Sequence, residues 1–257
     1  MLGAIAGDIV GSVFEGSGRK DTDFPLFSSH STYTDDTVLT VAVAAVLLES
    51  SDYASVLRRY GRRYPDRGYG GSFYQWLHDD SREAYNSWGN GSAMRVSPVG
   101  YAAKSVEDVL SEAQRSAAVT HNHPEGVRGA QATALAAFLA RHGASKSELR
   151  RELSERFGYD LDRSVEEIRP GYAFDVSCQG SVPESIICFL DSSDLEGAIR
   201  LAVSLGGDAD TMACIAGGIA EAFYGGVPDF IETEVRNRLP EDLLDIVDRF
   251  RARFFCN

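Results

Sequence analysis

Three alanine-rich segments constrain the fold most, because each is apolar around almost its whole circumference. They span residues 38–48, 126–141 and 211–224. Capping side chains precede the first segment, Pro124 precedes the second, and two glycines follow the third, as is typical of helix boundaries. A helix that lacks a polar face has to be buried. We therefore predict three central helices that are covered by others.

The covering helices are predicted from amphipathic stretches, in which charges recur on one side at helical spacing. Strand signals are scarce, and no repeat or linker divides the chain. We predict an all-α fold and a single domain over residues 1–257. The amphipathic stretches are residues 106–116, 146–157, 195–204 and 241–255.

Two stretches, residues 16–36 and 65–101, lack clear periodicity and are rich in Gly, Ser, Asp and aromatic residues. That composition is typical of functional loops. We expect both stretches to be loops that carry parts of a site.

The charge balance argues against non-specific binding to nucleic acid. The chain has 25 Lys and Arg residues against 38 Asp and Glu residues, a formal net charge of −13. Such a field repels a phosphate backbone unless basic residues cluster. The densest basic stretch has the spacing of a helix surface, and we interpret it as a solvated face. It contains Arg58, Arg59, Arg62, Arg63 and Arg67.

The first residues lack the basic region and long apolar core of a signal peptide, and Asp8 interrupts them early. The longest uncharged runs are too short to span a bilayer. We expect a cytoplasmic protein with no membrane partner, and a monomer. The cysteines form no CxxC pair, so we interpret them as reduced residues. They are Cys178, Cys188, Cys214 and Cys256.

Two acidic clusters stand immediately before apolar helices. Thr34-Asp35-Asp36-Thr37 alone is explained as a helix N-cap. Asp208, Asp210 and Thr211 form the second cluster, which follows two glycines. One cap needs only one such side chain. Four carboxylates and several hydroxyls are ligands that suit Mg²⁺, Mn²⁺ or Ca²⁺ better than zinc. Together, the clusters indicate a site for two metal ions.

Three further motifs allow two interpretations each. Glu15 is either a solvated glutamate or a functional one. The segment 89–95, Gly-Asn-Gly-Ser-Ala-Met-Arg, is either a tight turn or a turn whose backbone N–H groups bind an anion. His121 and His123 lack the partners of a zinc site, so ligand contact or capping explains them better.

The motifs occur together and in an order that resembles the ADP-ribosylglycohydrolase family. The resemblance spans nearly the whole chain. It is carried by Gly7-Asp8 with Gly11, Ser12 and Glu15, by Tyr33-Thr34-Asp35-Asp36-Thr37, by Gly89-Asn90-Gly91-Ser92-Ala93-Met94-Arg95, and by Gly206-Gly207-Asp208-Ala209-Asp210-Thr211.

The resemblance implies an orthogonal multi-helix fold with a binuclear Mg²⁺ or Mn²⁺ centre at the base of a cleft. It implies that Thr34, Asp35 and Asp36 bind one ion. Asp210 would bridge both ions, and Asp208 and Thr211 would bind mainly the second. Glu15, as a metal ligand or proton acceptor, and Asp35 and Asp36 are implied as catalytic. The implied substrate-binding residues, for the diphosphate and the ADP-ribose cleft, are Gly89, Asn90, Gly91, Ser92, Met94 and His121.

The implied activity is hydrolysis of the glycosidic bond between ADP-ribose and an acceptor, which is an arginine, a serine, a nucleic-acid base or a small ester. Two ions can hold the hydroxyls of the distal ribose and lower the pKa of a bound water. The partners would be ADP-ribose and an ADP-ribosylated substrate. Two alternatives remain: an inactive, crystallin-like relative, and a di-metal phosphohydrolase that acts on a nucleotide.

Overall fold

The computed structural model describes residues 1–255, which are almost entirely helical and loop. Within these residues, extended segments pair only in one antiparallel bridge, between Gly89 and Ser177. The predicted all-α fold is confirmed. The helices of the described residues are α1 (Leu2–Gly11), α2 (Asp35–Glu49), α3 (Tyr53–Arg63), α4 (Gly71–His78), α5 (Gly91–Met94), α6 (Ser97–Ala102), α7 (Val106–Ala118), α8 (Pro124–Arg141), α9 (Lys146–Phe157), α10 (Val165–Ile168), α11 (Cys178–Asp191), α12 (Leu195–Val203), α13 (Ala209–Tyr224), α14 (Asp229–Arg236) and α15 (Glu241–Phe254).

The three predicted central helices are α2, α8 and α13. Every residue of α13 from Ala209 to Glu221 is buried, and α2 is buried from Asp36 to Val46. The helices α1, α5, α8, α11 and α12 all pack against α13. The apolar circumference of these helices therefore does predict burial in the centre of the fold.

Helix α1 lies against α13 at backbone contact distance. A Cβ atom on Gly7 would stand 2.0 Å from the Ala213 carbonyl oxygen, and a Cβ atom on Gly11 would stand 2.4 Å from the Asp210 Cα atom. Only glycine allows so close an approach. The packing brings the last turn of α1, which carries Asp8, beside the first turn of α13, which carries Asp210.

The amphipathic stretches form outer helices, as predicted. They are α7, α9, α12 and α15, and their ends differ from the predicted ends by at most two residues. Helix α9 begins with a capping box, in which Ser145 and Glu148 each bond the other's backbone N–H.

The prediction of a loop over residues 65–101 is wrong, because α4, α5 and α6 lie there. These helices have four to eight residues, too few to develop a clear apolar period. Residues 16–34, by contrast, contain no helix or strand. That part of the loop prediction is confirmed.

Cys178, Cys188 and Cys214 are free and buried, as predicted, and Cys256 lies outside the described residues. Over residues 1–255, no helix combines the length and the apolar character needed to cross a membrane. The assignment of residues 1–257 to one domain stays a prediction.

Candidate active site

One cavity of about 370 Å³ is lined by almost all of the predicted site residues. They come from five separate parts of the chain, and the packing of α2, α5 and α13 brings the largest of these parts together. Ser92 is the exception. The residues that line the cavity are Glu15, Thr34, Asp35, Asp36, Gly89, Asn90, Gly91, Met94, His121, Asp208, Asp210 and Thr211.

The two acidic clusters stand at the N-termini of α2 and α13, but only one of them caps its helix. The Thr34 hydroxyl accepts a hydrogen bond from the Asp36 N–H at 3.3 Å, so capping explains Thr34. Asp208 occupies the equivalent position of α13 and makes no capping bond. Capping therefore does not account for the buried carboxylates of the second cluster.

Carboxylates from three segments converge at the end of the cavity. Glu15, Asp208 and Asp210 each place an oxygen within 4.8 Å of the others. The Thr211 hydroxyl donates to Asp36 Oδ1 at 3.4 Å and so links the two clusters. Asp36 Oδ2 is buried and has no hydrogen-bond partner among the described residues. A buried, unsatisfied carboxylate oxygen among other acids fits a cation-binding site.

The electrostatics of this acidic cluster agree with that interpretation. Burial, followed by repulsion from Asp208, raises the pKa of Asp210 to about 8. Burial and Asp210 raise the pKa values of Asp35 and Asp36 well above the ordinary range. The pKa of Glu15 is also raised, mainly by the charge of Asp210. Without a cation, the cluster therefore favours bound protons.

Asp8 organises the first cluster, a role that the sequence did not assign to it. Its fully buried carboxylate accepts bonds from the N–H and the hydroxyl of Thr34, at 3.0 and 2.7 Å. It also accepts bonds from the N–H, at 3.1 Å, and the hydroxyl of Thr37. Burial and Asp210 raise the pKa of Asp8 to about 7. The sequence signal that could have identified Asp8 is its position as the one charged residue of an apolar N-terminal segment.

Arg67 supports the same cluster from the other side. Its carbonyl oxygen accepts a bond from the Asp35 N–H at 2.8 Å, and its guanidinium lies 3.8 Å from the centre of the Tyr33 ring. Arg67 also lines the cavity. Its interpretation as part of a solvated face is therefore wrong, whereas Arg59 and Arg63 are exposed on α3. A main-chain contact of this kind leaves no sequence signal.

Gly89 and Asn90 line the cavity and lead into α5. The Asn90 N–H donates to the Val176 carbonyl at 2.8 Å. The Asn90 side-chain amide donates to Asp208 Oδ2 at 2.7 Å, which joins this turn to the acidic cluster. The Ser92 hydroxyl is fully buried and donates to the Gly126 carbonyl at 2.7 Å. The Ser92 side chain therefore fixes the turn against α8 and does not face the cavity.

The two histidines of the segment 121–123 have different surroundings. His121 is buried and lines the cavity, and a Cβ atom on Gly91 would stand 3.1 Å from its Nε2 atom. His123 caps α8, because its Nδ1 atom accepts a bond from the Glu125 N–H at 3.1 Å. Capping, one of the two roles that the sequence suggested in place of zinc, is therefore found for His123. Ligand contact by His121 stays a prediction.

Comparison with known proteins gives consistent matches along the chain. A family model described as ADP-ribosylglycohydrolase matches residues 1–255. The ADP-ribosylhydrolase ARH3 of Mus musculus is 32% identical, with 88% of this chain and 82% of the relative covered. The Homo sapiens protein of that name is 30% identical, with 88% and 84% covered.

A bacterial relative and a solved structure extend these matches. The ADP-ribosylarginine hydrolase Tri1 of Pseudomonas putida (strain GB-1) is 27% identical, with 89% of this chain and 71% of the relative covered. The structure of an ADP-ribosylglycohydrolase-related protein complex has a TM-score of 0.71 and 26% identity, and covers 98% of this chain and 96% of its own. The chain therefore belongs to the ADP-ribosylglycohydrolase family.

Proposed function

We propose that this protein hydrolyses the glycosidic bond between ADP-ribose and an acceptor and releases free ADP-ribose. The observation that carries the proposal is the 2.7 Å bond between Asn90 and Asp208, which joins the Gly-rich turn to the acidic cluster within one cavity. A site of this kind has one end suited to cations and another suited to a diphosphate. The names of the relatives, hydrolases of ADP-ribosylated substrates, support the same activity.

The acidic cluster fits two Mg²⁺ or Mn²⁺ ions. Thr34, Asp35 and Asp36 would hold one ion, Asp208 and Thr211 the other, and Asp210 both. The fit rests on the unpartnered Asp36 oxygen, on the convergence of Glu15 with the aspartates, and on an all-oxygen donor set. When bound, the ions supply Lewis acidity that orients sugar hydroxyls and lowers the pKa of water.

The side chains around this centre have separate tasks in the proposal. Glu15 lies on the loop between α1 and α2 and is the most exposed acid of the cluster. It is therefore the acid best placed to accept a proton from the attacking water. The Gly-rich turn binds the diphosphate through the backbone N–H group of Gly91, because the N–H groups of Gly89 and Asn90 already donate to the Ser87 hydroxyl and the Val176 carbonyl. Asn90 holds Asp208 in place and therefore fixes the distance between diphosphate and reacting sugar.

Substitution of the metal ligands tests the proposal. Asp35→Ala and Asp210→Ala should each nearly abolish ADP-ribose release. Both should also weaken Mn²⁺ binding, which calorimetric titration measures. Asp245→Ala is the matched control, because Asp245 is exposed on α15, far along the chain from the cluster. Full activity in either ligand variant would refute the metal assignment.

Product analysis separates the proposal from phosphohydrolase chemistry. Intact ADP-ribose identifies cleavage of the glycosidic bond. AMP and ribose phosphate would instead identify cleavage within the diphosphate, and would refute the proposal.

A further inference from the structure

Arg95 is a fully buried cation that has no acidic partner within residues 1–255. Its Nη2 atom donates to the Ser116 carbonyl at 2.7 Å and to the Thr120 hydroxyl at 3.0 Å. Its Nε and Nη1 atoms have no hydrogen-bond partner among the described residues. A guanidinium buried in this way has an unusually strong effect on neighbouring polar groups.

The Thr120 hydroxyl lies between Arg95 and His121. Its oxygen is 2.7 Å from His121 Nδ1. Arginine can only donate, so the hydroxyl oxygen accepts from Arg95. The hydroxyl proton has one available acceptor among the described residues, which is His121 Nδ1. Nδ1 therefore carries a lone pair, and the ring proton of the neutral imidazole is on Nε2.

His121 Nε2 faces the Gly-rich turn. A Cβ atom on Gly91 would lie 3.1 Å from Nε2, and one on Gly89 would lie 3.7 Å away. Within residues 1–255, no protein atom accepts a hydrogen bond from Nε2, and His121 lines the cavity. Burial and the nearby Arg95 charge lower the pKa of His121 well below its usual value, which agrees with a neutral ring. Nε2–H is thus a hydrogen-bond donor that is available to a ligand in the cavity.

We infer that Arg95 and Thr120 fix His121 as the Nε2–H tautomer, so that His121 donates a hydrogen bond to a diphosphate oxygen of a nucleoside diphosphate ligand. The identity of the ligand rests on the proposed function. Arg95 and Thr120 are positioning residues, because they act through His121. Arg95 also places a positive charge behind the donor, which favours an anionic acceptor.

The tautomer itself is measured by long-range ¹⁵N–¹H correlation spectroscopy on the ligand-free wild-type protein at pH 7. We expect the His121 signals of a neutral Nε2–H imidazole. A proton on Nδ1, or a doubly protonated ring, would overturn the inference. This measurement needs no substrate, so its result does not depend on the proposed function.

Substitutions test the hydrogen bond to the ligand, with ADP as the probe and EDTA present. His121→Phe keeps a flat ring but lacks the donor, and it should raise the Kd for ADP on the order of tenfold. Unchanged ADP affinity in His121→Phe would overturn the inference. Thr120→Val lacks the hydroxyl, so it should weaken ADP binding and change the tautomer signals. Thr120→Ser keeps the hydroxyl and should retain the ADP affinity and the tautomer signals of the wild type. Melting curves confirm that each variant is folded.

Adenosine separates the diphosphate from the rest of the nucleotide. The inference predicts that His121→Phe weakens ADP binding and leaves adenosine binding unchanged. An equal loss for both ligands would show that His121 recognises the nucleoside, and would overturn the assignment to the diphosphate. Failure of the wild-type protein to bind ADP would count against the proposed function, while the tautomer measurement would stand.

Discussion

The Asp8 carboxylate accepts a hydrogen bond from the Thr34 hydroxyl at 2.7 Å, although the two residues belong to different helical segments. Asp8 is on α1, which contacts α13 through Gly7 and Gly11. Thr34 begins the acidic cluster at the start of α2. The contact therefore ties the first acidic cluster to α1, and α1 packs on α13, which carries the second cluster. Helix α1 thus sets the spacing between the two clusters.

Asp8→Asn tests this role of α1. One side of an amide is a donor and would face the N–H and hydroxyl donors of Thr34 and Thr37. We expect a destabilisation of about 1–3 kcal/mol and weaker Mn²⁺ binding. Urea unfolding and calorimetric titration measure the two effects. Asp52→Asn, at the exposed N-cap of α3, is the control and should leave Mn²⁺ affinity unchanged. Wild-type Mn²⁺ affinity in Asp8→Asn would contradict the role.

Gly11→Ala tests the contact between α1 and α13. The added methyl group would meet the Asp210 Cα atom at 2.4 Å and the Ala209 carbonyl at 2.5 Å, so one helix must shift. We expect a loss of about 1–3 kcal/mol or more in stability, because the obstructing atoms are backbone. Thermal unfolding measures it. Gly171→Ala serves for comparison, because no described atom lies within 4 Å of the new Cβ. Equal melting temperatures for the two variants would show that the close packing is not required.

Glu15→Gln separates proton transfer from binding. The amide keeps the size of the side chain but cannot accept the proton, so kcat should fall on the order of 10²-fold to 10⁴-fold. The Kd for ADP-ribose should change little. Steady-state kinetics and direct titration give the two values. The control is Glu155→Gln, because Glu155 is exposed on α9. An unchanged kcat would remove Glu15 from the reaction.

The stability of the metal-free protein should fall as the pH rises. The pKa is about 7 for Asp8 and about 8 for Asp210, whereas an unfolded Asp has a pKa of about 3.9. Between these values the folded state binds more protons than the unfolded state. The associated stability is therefore present below about pH 4 and is lost as the pH rises through about 8.

Bound Mg²⁺ replaces those protons, so the Mg²⁺-induced increase in Tm should be larger at pH 8 than at pH 5. Melting curves in EDTA and in Mg²⁺ at both pH values measure the difference. Asp210→Ala should reduce it. An increase that is no larger at pH 8 than at pH 5 would contradict the electrostatic description of the cluster.

The central helices and the acidic clusters were predictable, because each depends on a local pattern. Residues 38–48 are apolar at almost every position, and Asp35 and Asp208 each stand directly before such a helix. The bounds of α9 were also predictable, because Ser145 and Gly158 mark its ends.

The remaining features depend on tertiary contacts, which no local pattern records. Helix α4 has only eight residues and takes its place from packing against α3. The Arg67 carbonyl binds a backbone N–H, which any residue can do. Ser92 belongs to the segment that the sequence predicts to bind an anion, yet its hydroxyl points to Gly126. The direction of a side chain in a tight turn depends on what packs behind it.

The most direct test of the proposed activity is the release of free ADP-ribose from arginine-, serine- and base-linked ADP-ribosylated substrates, each with and without EDTA. We expect release from at least one substrate, abolished by EDTA and restored by excess Mg²⁺ or Mn²⁺. That substrate also identifies the acceptor linkage. No release from any substrate in the presence of metal, by protein that binds ADP-ribose, would contradict the proposal and indicate a binding protein without hydrolase activity.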